Sequence, residues 1–142
     1  MTQRVVEELS EQQCLELADG ETIARFVFQD SEGPAALPIN FGLAGKDIIF
    51  RTESGSHFLE VLHGPVAIEM DSIDTETGMG WSILLRGQGR EVPLDAVPEL
   101  LKQMGDNFPH PWAEGVHNVW IAVTAEKITG RRLTQPYFAA NF

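Results

Sequence analysis

FRTESGSH, residues 50–57, joins the end of an apolar strand pattern to the start of a helical pattern. The strand pattern covers residues 47–52, and an apolar helical run begins at Phe58, directly after the Ser/Gly turn. Hydroxyl groups, a glycine and the unpaired N–H groups of a helix start are therefore predicted to meet at one point. Those N–H groups and the helix dipole favour an anion such as a phosphate. Ordinary helix capping explains the same residues, because serine is a favoured N-cap residue in any protein.

Five segments between residues 37 and 87 form a recognisable series. In order they are PINF at 38–41, the AGKD turn at 44–47, the segment 50–57, GPVAIE at 64–69, and GWSILLRG at 80–87. The series resembles the FMN-binding split-barrel family, which includes pyridoxamine 5′-phosphate oxidase. It is most similar to the nitroimidazole-reductase-like flavoprotein branch of that family. The resemblance covers roughly residues 8–133 and implies a mainly β fold, a six- to seven-stranded antiparallel FMN-binding split barrel with short helices.

The periodicity of the chain predicts the same kind of fold. Ser10 and Gln13 have the spacing of a capping box, so the first helix is expected at 10–19. Further helices are expected at 56–63 and 94–104, and a proline-containing loop at 108–115. Alternating or apolar β-forming runs predict strands at 22–29, 35–43, 47–52, 66–73, 80–92, 118–124 and 127–133.

Length and composition place the chain among single-domain soluble proteins. Its 142 residues, of which 43% are hydrophobic, predict one domain spanning residues 1–142. No apolar run approaches the ~20 residues that a membrane span needs. The first residues lack the apolar core of a secretory signal, so a cytoplasmic location is expected. The single cysteine, Cys14, excludes an internal disulfide and offers no cysteine cluster for zinc.

The charge balance predicts that nucleic acids and anionic membranes are not partners. The chain carries 10 Lys and Arg against 21 Asp and Glu, a formal net charge of −11. Such a surface repels phosphate polyanions, and the adjacent Arg131 and Arg132 make a poor basic patch. The four histidines do not share the spacing of a metal site, so no metal is predicted. No nucleophile elbow, Rossmann or Walker signature follows a strand either.

The resemblance implies a specific set of flavin-binding residues. Thr52, Ser54 and Ser56 would bind the FMN phosphate with His57 beside it, and residues 38–41 would run along the isoalloxazine. The same resemblance implies that the flavin sits at a two-fold interface of a homodimer, which Trp112 would reach from the partner subunit. The complete set of predicted cofactor-binding residues is Pro38, Ile39, Asn40, Phe41, Arg51, Thr52, Ser54, Ser56, His57, Trp81, Ser82 and Trp112.

The assignment of Trp81 has a structural alternative. Trp81 would close one side of the flavin, although a tryptophan in a small barrel is commonly a core residue. Glycines at 78, 80, 87 and 89 surround it, and glycine inside a strand marks a bulge, a barrel bend or the close approach of a ligand. Bending of the strand alone explains these glycines equally well.

His57 departs from the family pattern, which commonly has a lysine or arginine there. Loss of a permanent cation weakens phosphate binding, because charge-assisted hydrogen bonds are about twice as strong as neutral ones. A histidine, with a reference pKa of ~6.5, can still be protonated beside a bound phosphate. Arg51 is the alternative cation, although strand alternation points it away from Thr52. FMN is therefore expected to bind weakly.

The chain shows no acid/base constellation, so its catalytic residues stay unassigned. A flavin would carry the redox chemistry itself. The first hypothesis is an FMN-dependent oxidoreductase acting on a small electron-poor organic substrate. The alternatives are a deazaflavin-dependent oxidoreductase of the same fold, and a non-catalytic flavin or haem binder with His110 or His117 as the haem ligand. Oxidation of pyridoxamine phosphate itself is disfavoured, because the resemblance does not extend to the longer C-terminal arginine-bearing segment of that enzyme. The tail at 135–142 has three aromatic residues and no cation.

Overall fold

The computed structural model describes residues 5–105, 109 and 118–134. Eight strands and three short α-helices make up these residues, in agreement with the predicted mainly β fold. The strands are β1 Val5–Leu9, β2 Ile23–Asp30, β3 Gly33–Asn40, β4 Gly42–Ala44, β5 Asp47–Thr52, β6 Val66–Ile73, β7 Gly80–Val92 and β8 Val119–Thr134. The helices are α1 Glu11–Asp19, α2 His57–Val61 and α3 Val97–Met104, the last preceded by a 3₁₀ turn at Leu94–Ala96.

All the strand pairs are antiparallel, and the sheet curls into a half-barrel. Its order is β3-β2-β6-β7-β8-β5-β4, with β1 added to β8. β4 follows β3 after Phe41 alone, yet it pairs with β5 at the opposite end of this order. The turn at Phe41 therefore brings the two ends of the sheet together. β8 pairs with β7 along nearly its whole length, with β5 along residues 119–124, and with β1 along residues 130–134.

Several boundaries differ from the sequence predictions. β1 was not predicted, and the strands expected at 118–124 and 127–133 are the single strand β8, so the described chain has eight strands rather than six or seven. β8 runs on through residues 125 and 126, where its register with β7 shifts: Arg86 pairs with Lys127 and Gly87 with Ala125, so Glu126 has no partner on β7. The strand expected at 35–43 is divided at Phe41, and the helix expected at 56–63 is only five residues long. The loop expected at 108–115 lies outside the described residues, except for the buried Pro109.

The apolar residues form two cores on opposite faces of β5 and β8. The interior of the half-barrel holds Phe26 and Phe50, the buried residues of β6, and Ile83 and Leu85 of β7. The second core includes Ile49 and Trp120, and α3 contributes Met104 to it. Alternate residues of β5 therefore point to different cores.

α2 is held at the end of β5 by aromatic contacts. The Phe58 ring lies 5.5 Å from the Phe26 ring and 5.3 Å from the Phe50 ring, measured between centroids. Edge-on aromatic pairs of this kind contribute about 0.5–1.5 kcal/mol each beyond the area they bury. These contacts fix the segment between Thr52 and α2 over one end of the barrel.

Candidate functional site

The segment between β5 and α2 carries the hydroxyl groups that were predicted to bind phosphate. Thr52, the last residue of β5, is buried and lies on the same face as Phe50. Ser54 is exposed in the turn, where Gly55 has a φ of 79°. The chain can make this turn because glycine adopts positive φ without a steric penalty. Thr52 and Ser56 therefore flank a tight turn at the end of the barrel.

Ser56 has a buried hydroxyl group without a hydrogen-bond partner in the described part of the chain. It is the N-cap residue of α2, but its side chain accepts no capping hydrogen bond. Among the described residues, nothing forms a hydrogen bond with Ser56 Oγ. A buried polar atom without a partner costs free energy, and such atoms are uncommon in native proteins. An oxygen of a bound phosphate is a partner that this hydroxyl group could donate to.

His57 faces two carboxylates. Its Nδ1 lies 3.1 Å from Glu60 Oε2, and its Nε2 lies 3.4 Å from Asp30 Oδ2 at the end of β2. The hydrogen bond with Glu60 and the weaker interaction with Asp30 raise the pKa of the His57 imidazole above its ordinary value of 6.5. The edge of the ring also packs on Phe28, with 5.5 Å between centroids. In this arrangement neither ring nitrogen is directed at the hydroxyl groups of Thr52 and Ser56.

Arg51 lies on the opposite face of β5, as strand alternation predicted. Its guanidinium carbon is 4.9 Å from the centroid of the Trp120 ring, which belongs to the second core. Thr52, the next residue, points to the interior. Arg51 is therefore not placed to neutralise a phosphate held by Thr52 and Ser56 of its own chain.

Residues 38–41, predicted to run along the isoalloxazine, lead toward Thr52. Ile39 and Phe41 belong to the interior core, while Pro38 and Asn40 alternate with them. Gly42 pairs with Ile49, and continuing this antiparallel register would place Ile39 opposite Thr52. β3 does contact β5. The structure thus brings this segment and the hydroxyl groups of the turn into one region.

Trp81 and Ser82 lie on β7, which is separated from residues 38–41 by the two strands β2 and β6: Pro38 pairs with Arg25, Arg25 with Glu69, and Glu69 with Leu84. Thr52 pairs with Val119 at the start of β8, whereas Ser82 pairs with Arg131 near its end. That route follows β8 for a dozen residues, whereas the row from Pro38 to Leu84 crosses only three strand spacings, about 15 Å. Trp81 packs against the interior core, so its predicted alternative as a core residue agrees with its position. Within one chain, Trp81 and Ser82 therefore lie on a different strand from the hydroxyl groups of the turn.

Ser82 opens onto a cleft on the outer surface of the sheet. The cleft has a volume of about 570 Å³, within the range typical of ligand pockets. Burial and the neighbouring Asp71 raise the pKa of Glu69 in its wall. Glu69 also forms an ion pair with Arg25 at 3.2 Å. The residues around this cleft include Glu8, Glu69, Ser82, Leu84, Arg86 and Arg131.

Two residues of this region were not found from the sequence. Asp30 lies just after the strand predicted at 22–29 and was given no role. Its contact with His57 joins positions 27 apart in the chain, which a local pattern does not reveal. Glu60 could have been found, because residues three apart on a helix are neighbours. Trp112 lies outside the described residues, so its predicted role stays a prediction.

The described residues show neither a metal cluster nor a membrane-spanning helix. Residues 5–105, 109 and 118–134 contain no group of three His, Cys, Asp or Glu side chains placed to hold a metal ion. None of the helices in those residues is long and apolar enough to cross a bilayer.

A family model described as pyridoxamine 5′-phosphate oxidase matches residues 10–132. The chain belongs to the pyridoxamine 5′-phosphate oxidase family. It is 26% identical over 136 residues to an uncharacterized protein of Mycobacterium tuberculosis, a match covering 92% of this chain and 87% of that protein. The resemblance to this family that the ordered segments indicated is thereby confirmed.

Solved structures related to this family share the fold. The FAD binding protein from Mycobacterium smegmatis is 28% identical, with a TM-score of 0.68 over 90% of this chain and 98% of that chain. A candidate 5-nitroimidazole antibiotic resistance protein from Bacteroides thetaiotaomicron is 15% identical, with a TM-score of 0.72 over 94% and 90% of the two chains. The second likeness, at 15% identity, shows the fold alone.

Proposed function

We propose that the protein binds a flavin nucleotide and acts as an oxidoreductase on a small electron-poor organic substrate. The observation that carries this proposal is the buried Ser56 hydroxyl group, which lacks a hydrogen-bond partner among the described residues. A nucleotide phosphate at the turn would accept its hydrogen bond. The family and the relative described as an FAD binding protein support the same ligand class. The flavin would supply the redox chemistry, and the chain would bind, orient and shield it.

FMN is the predicted form of the flavin. Thr52 and Ser56 would hold its phosphate, and the backbone of residues 38–41 would follow the ring. Ser54 is exposed in the turn, so it would reach only the outer phosphate oxygens. His57 already contacts two carboxylates, so its predicted direct contact with the phosphate would require these ion pairs to break.

We further propose that the working form is a homodimer in which each site is built from two chains. The hydroxyl groups of the turn and the Ser82 cleft lie on different strands of one sheet, and a two-fold partner could bring its cleft to the turn. The outer surface beside the cleft includes half-buried Ala67 and Leu84, with charged residues around them. Arg86 and Arg131 of the cleft would then supply positive charge that the turn lacks. The predicted contribution of Trp112 belongs to the same interface.

FAD is a second candidate, favoured by the charge around the turn. Asp30 and Glu60 both contact His57, the residue after Ser56, and Glu53 directly follows Thr52 in the chain. A terminal phosphate monoester approaches two negative charges at neutral pH, because its second pKa is near 6. Each phosphate of the FAD diphosphate has one ester and one anhydride link and carries a single negative charge, so an acidic turn would repel each of them less.

Titration of the purified protein with FMN, FAD and riboflavin, followed by flavin fluorescence, tests the proposal. We expect FMN or FAD to bind at least ten times more tightly than riboflavin, which lacks the phosphate. Equal affinity for all three would remove the phosphate assignment. A Soret band with added haem and no flavin binding would instead support the haem alternative. A deazaflavin-dependent protein would bind the deazaflavin in preference to both nucleotides.

The oxidoreductase activity needs a separate assay. The flavin-loaded protein is reduced anaerobically with a nicotinamide nucleotide or dithionite, and a nitroaromatic compound is then added. We expect the oxidised flavin spectrum to return faster than with free flavin at the same concentration. Reoxidation at the rate of free flavin would indicate a flavin binder without this activity.

A further inference from the structure

His57 contacts two carboxylates that belong to different elements, one to α2 and one to β2. Glu60 belongs to the same short helix, α2, whereas Asp30 ends β2 and begins the β2–β3 hairpin. A neutral imidazole carries one N–H group and can donate only one hydrogen bond, while an imidazolium carries two. The two contacts, at 3.1 and 3.4 Å, are therefore both hydrogen bonds only when the ring is protonated.

We propose that protonated His57 bridges α2 to the β2–β3 hairpin and thereby positions Ser56 for the flavin phosphate. In this role His57 is a positioning residue and does not bind the phosphate. The statement about the phosphate rests on the proposed function. The bridge itself is independent of any ligand.

The carboxylate on the hairpin is well placed to receive the bridge. Asp30 Oδ1 accepts a hydrogen bond from the Glu32 backbone N–H at 2.8 Å, which fixes its side chain and leaves Oδ2 for His57. The Asp30 side chain is only 19% exposed, and Phe28 of the same strand supports the imidazole ring. Two contacts from β2 thus hold the ring.

The start of α2 is held by backbone hydrogen bonds from Ser56 to Glu53 and from Leu59 to Ser56, and a side-chain bridge would add a link to β2. The helix has five residues, and short isolated helices are unstable in water. Its N-cap Ser56 accepts no side-chain hydrogen bond. Phe58 anchors the apolar side of the helix to the interior core. His57 would fix the start of α2 on the hairpin side, next to Ser56.

The charges that face His57 determine how the bridge responds to pH. In the described part of the chain they are Glu60 from α2 and Asp30 from β2, and both raise the pKa of the imidazole. A group whose pKa rises on folding stabilises the fold below its unfolded pKa, and this stabilisation is lost as the pH rises through the folded pKa. The bridge is thus present at pH 6 and weakens as the pH rises through the raised pKa.

The first experiment measures the His57 pKa in the flavin-free protein by NMR titration of the imidazole Cε1–H signals, assigned with His57→Gln. We expect a pKa above 6.5 that falls in Asp30→Asn and also in Glu60→Gln. Glu32→Gln is the matched control, because it removes one carboxylate from the same turn without a contact to His57. A pKa near 6.5, or one that Asp30→Asn leaves unchanged, would overturn the bridge.

The second experiment measures FMN affinity at pH 6 and pH 9 in the same variants. If the bridge positions Ser56, Asp30→Asn should weaken binding by about five-fold at pH 6, as for one partly exposed charge-assisted contact. At pH 9 this weakening should vanish, and only the small strengthening from the loss of one nearby negative charge should remain. If His57 binds the phosphate directly, Asp30→Asn frees an N–H group and removes an anion, so binding should strengthen. A raised and Asp30-dependent pKa in a protein that binds no flavin nucleotide would keep the bridge and overturn the proposed function.

Discussion

Replacing Ser56 with alanine should have opposite effects on stability and on flavin binding. The Ser56 hydroxyl group is buried and has no hydrogen-bond partner among the described residues. In the flavin-free protein it therefore costs free energy, and alanine removes that cost. In the flavin complex the same hydroxyl group would donate to the phosphate, and alanine removes that hydrogen bond.

The sizes of both effects follow from the environment of Ser56. A buried polar group without a partner costs about 1–3 kcal/mol. Replacing an N-cap serine by alanine usually costs about 1 kcal/mol, but Ser56 makes no capping bond that could be lost. We expect Ser56→Ala to raise the free energy of unfolding by up to about 1 kcal/mol, or about 3 °C in Tm. Loss of a hydrogen bond to a charged phosphate, about 1.5–3 kcal/mol, should weaken FMN binding roughly 10- to 100-fold.

Urea denaturation of the flavin-free protein and fluorescence titration with FMN measure the two effects. Ser54→Ala is the matched control, since Ser54 is exposed in the same turn and should change stability by less than about 0.5 kcal/mol. Riboflavin binding should be unaffected by Ser56→Ala. A variant that is less stable than the wild type and binds FMN equally well would refute the reasoning on both counts.

Three further predictions concern the rest of the fold. Gly87→Ala should destabilise the protein by about 3 kcal/mol or more in urea denaturation, because the new Cβ would lie 1.9 Å from the Thr124 carbonyl oxygen. Gly20→Ala is the control that should be tolerated, because its new Cβ would lie 3.6 Å from the nearest atom, the Leu17 carbonyl oxygen. Cys14 should resist alkylation at pH 8 until the protein unfolds, as judged by mass spectrometry, because burial raises the pKa of its thiol. Leu84→Arg should turn the proposed homodimer into a folded monomer by light scattering, and a wild-type monomer at micromolar concentration would contradict that assembly.

The sequence predicted correctly the bounds of those strands that show clear apolar alternation. The strands expected at 66–73 and 80–92 have the observed bounds, because each carries buried residues at alternate positions. β1 was missed because its residues are mostly exposed and lack an apolar face. It forms a strand only because the far end of β8 offers an unpaired edge more than 120 positions away in the chain.

The site was predictable where it depends on local geometry and unpredictable where it depends on the curvature of the sheet. Alternation along β5 correctly placed Arg51 away from Thr52. The capping box of α1 was also correct, since both of its hydrogen bonds form. The distance between Ser82 and the turn depends on which half of β8 pairs with which strand, and one sequence does not reveal that register.

Asp30 and Glu60 offer a reason for a histidine at position 57, where the family pattern commonly has a lysine or arginine. A lysine or arginine at position 57 would also meet Asp30 and Glu60, and these two carboxylates would compete with the phosphate for it. Arg86 and Arg131 line the cleft beside Ser82. In a two-chain site, positive charge for the phosphate would come from the partner, and position 57 would be left to hold α2. A protonatable ring with two N–H groups serves that second purpose, because each of its nitrogens faces one of the two carboxylates.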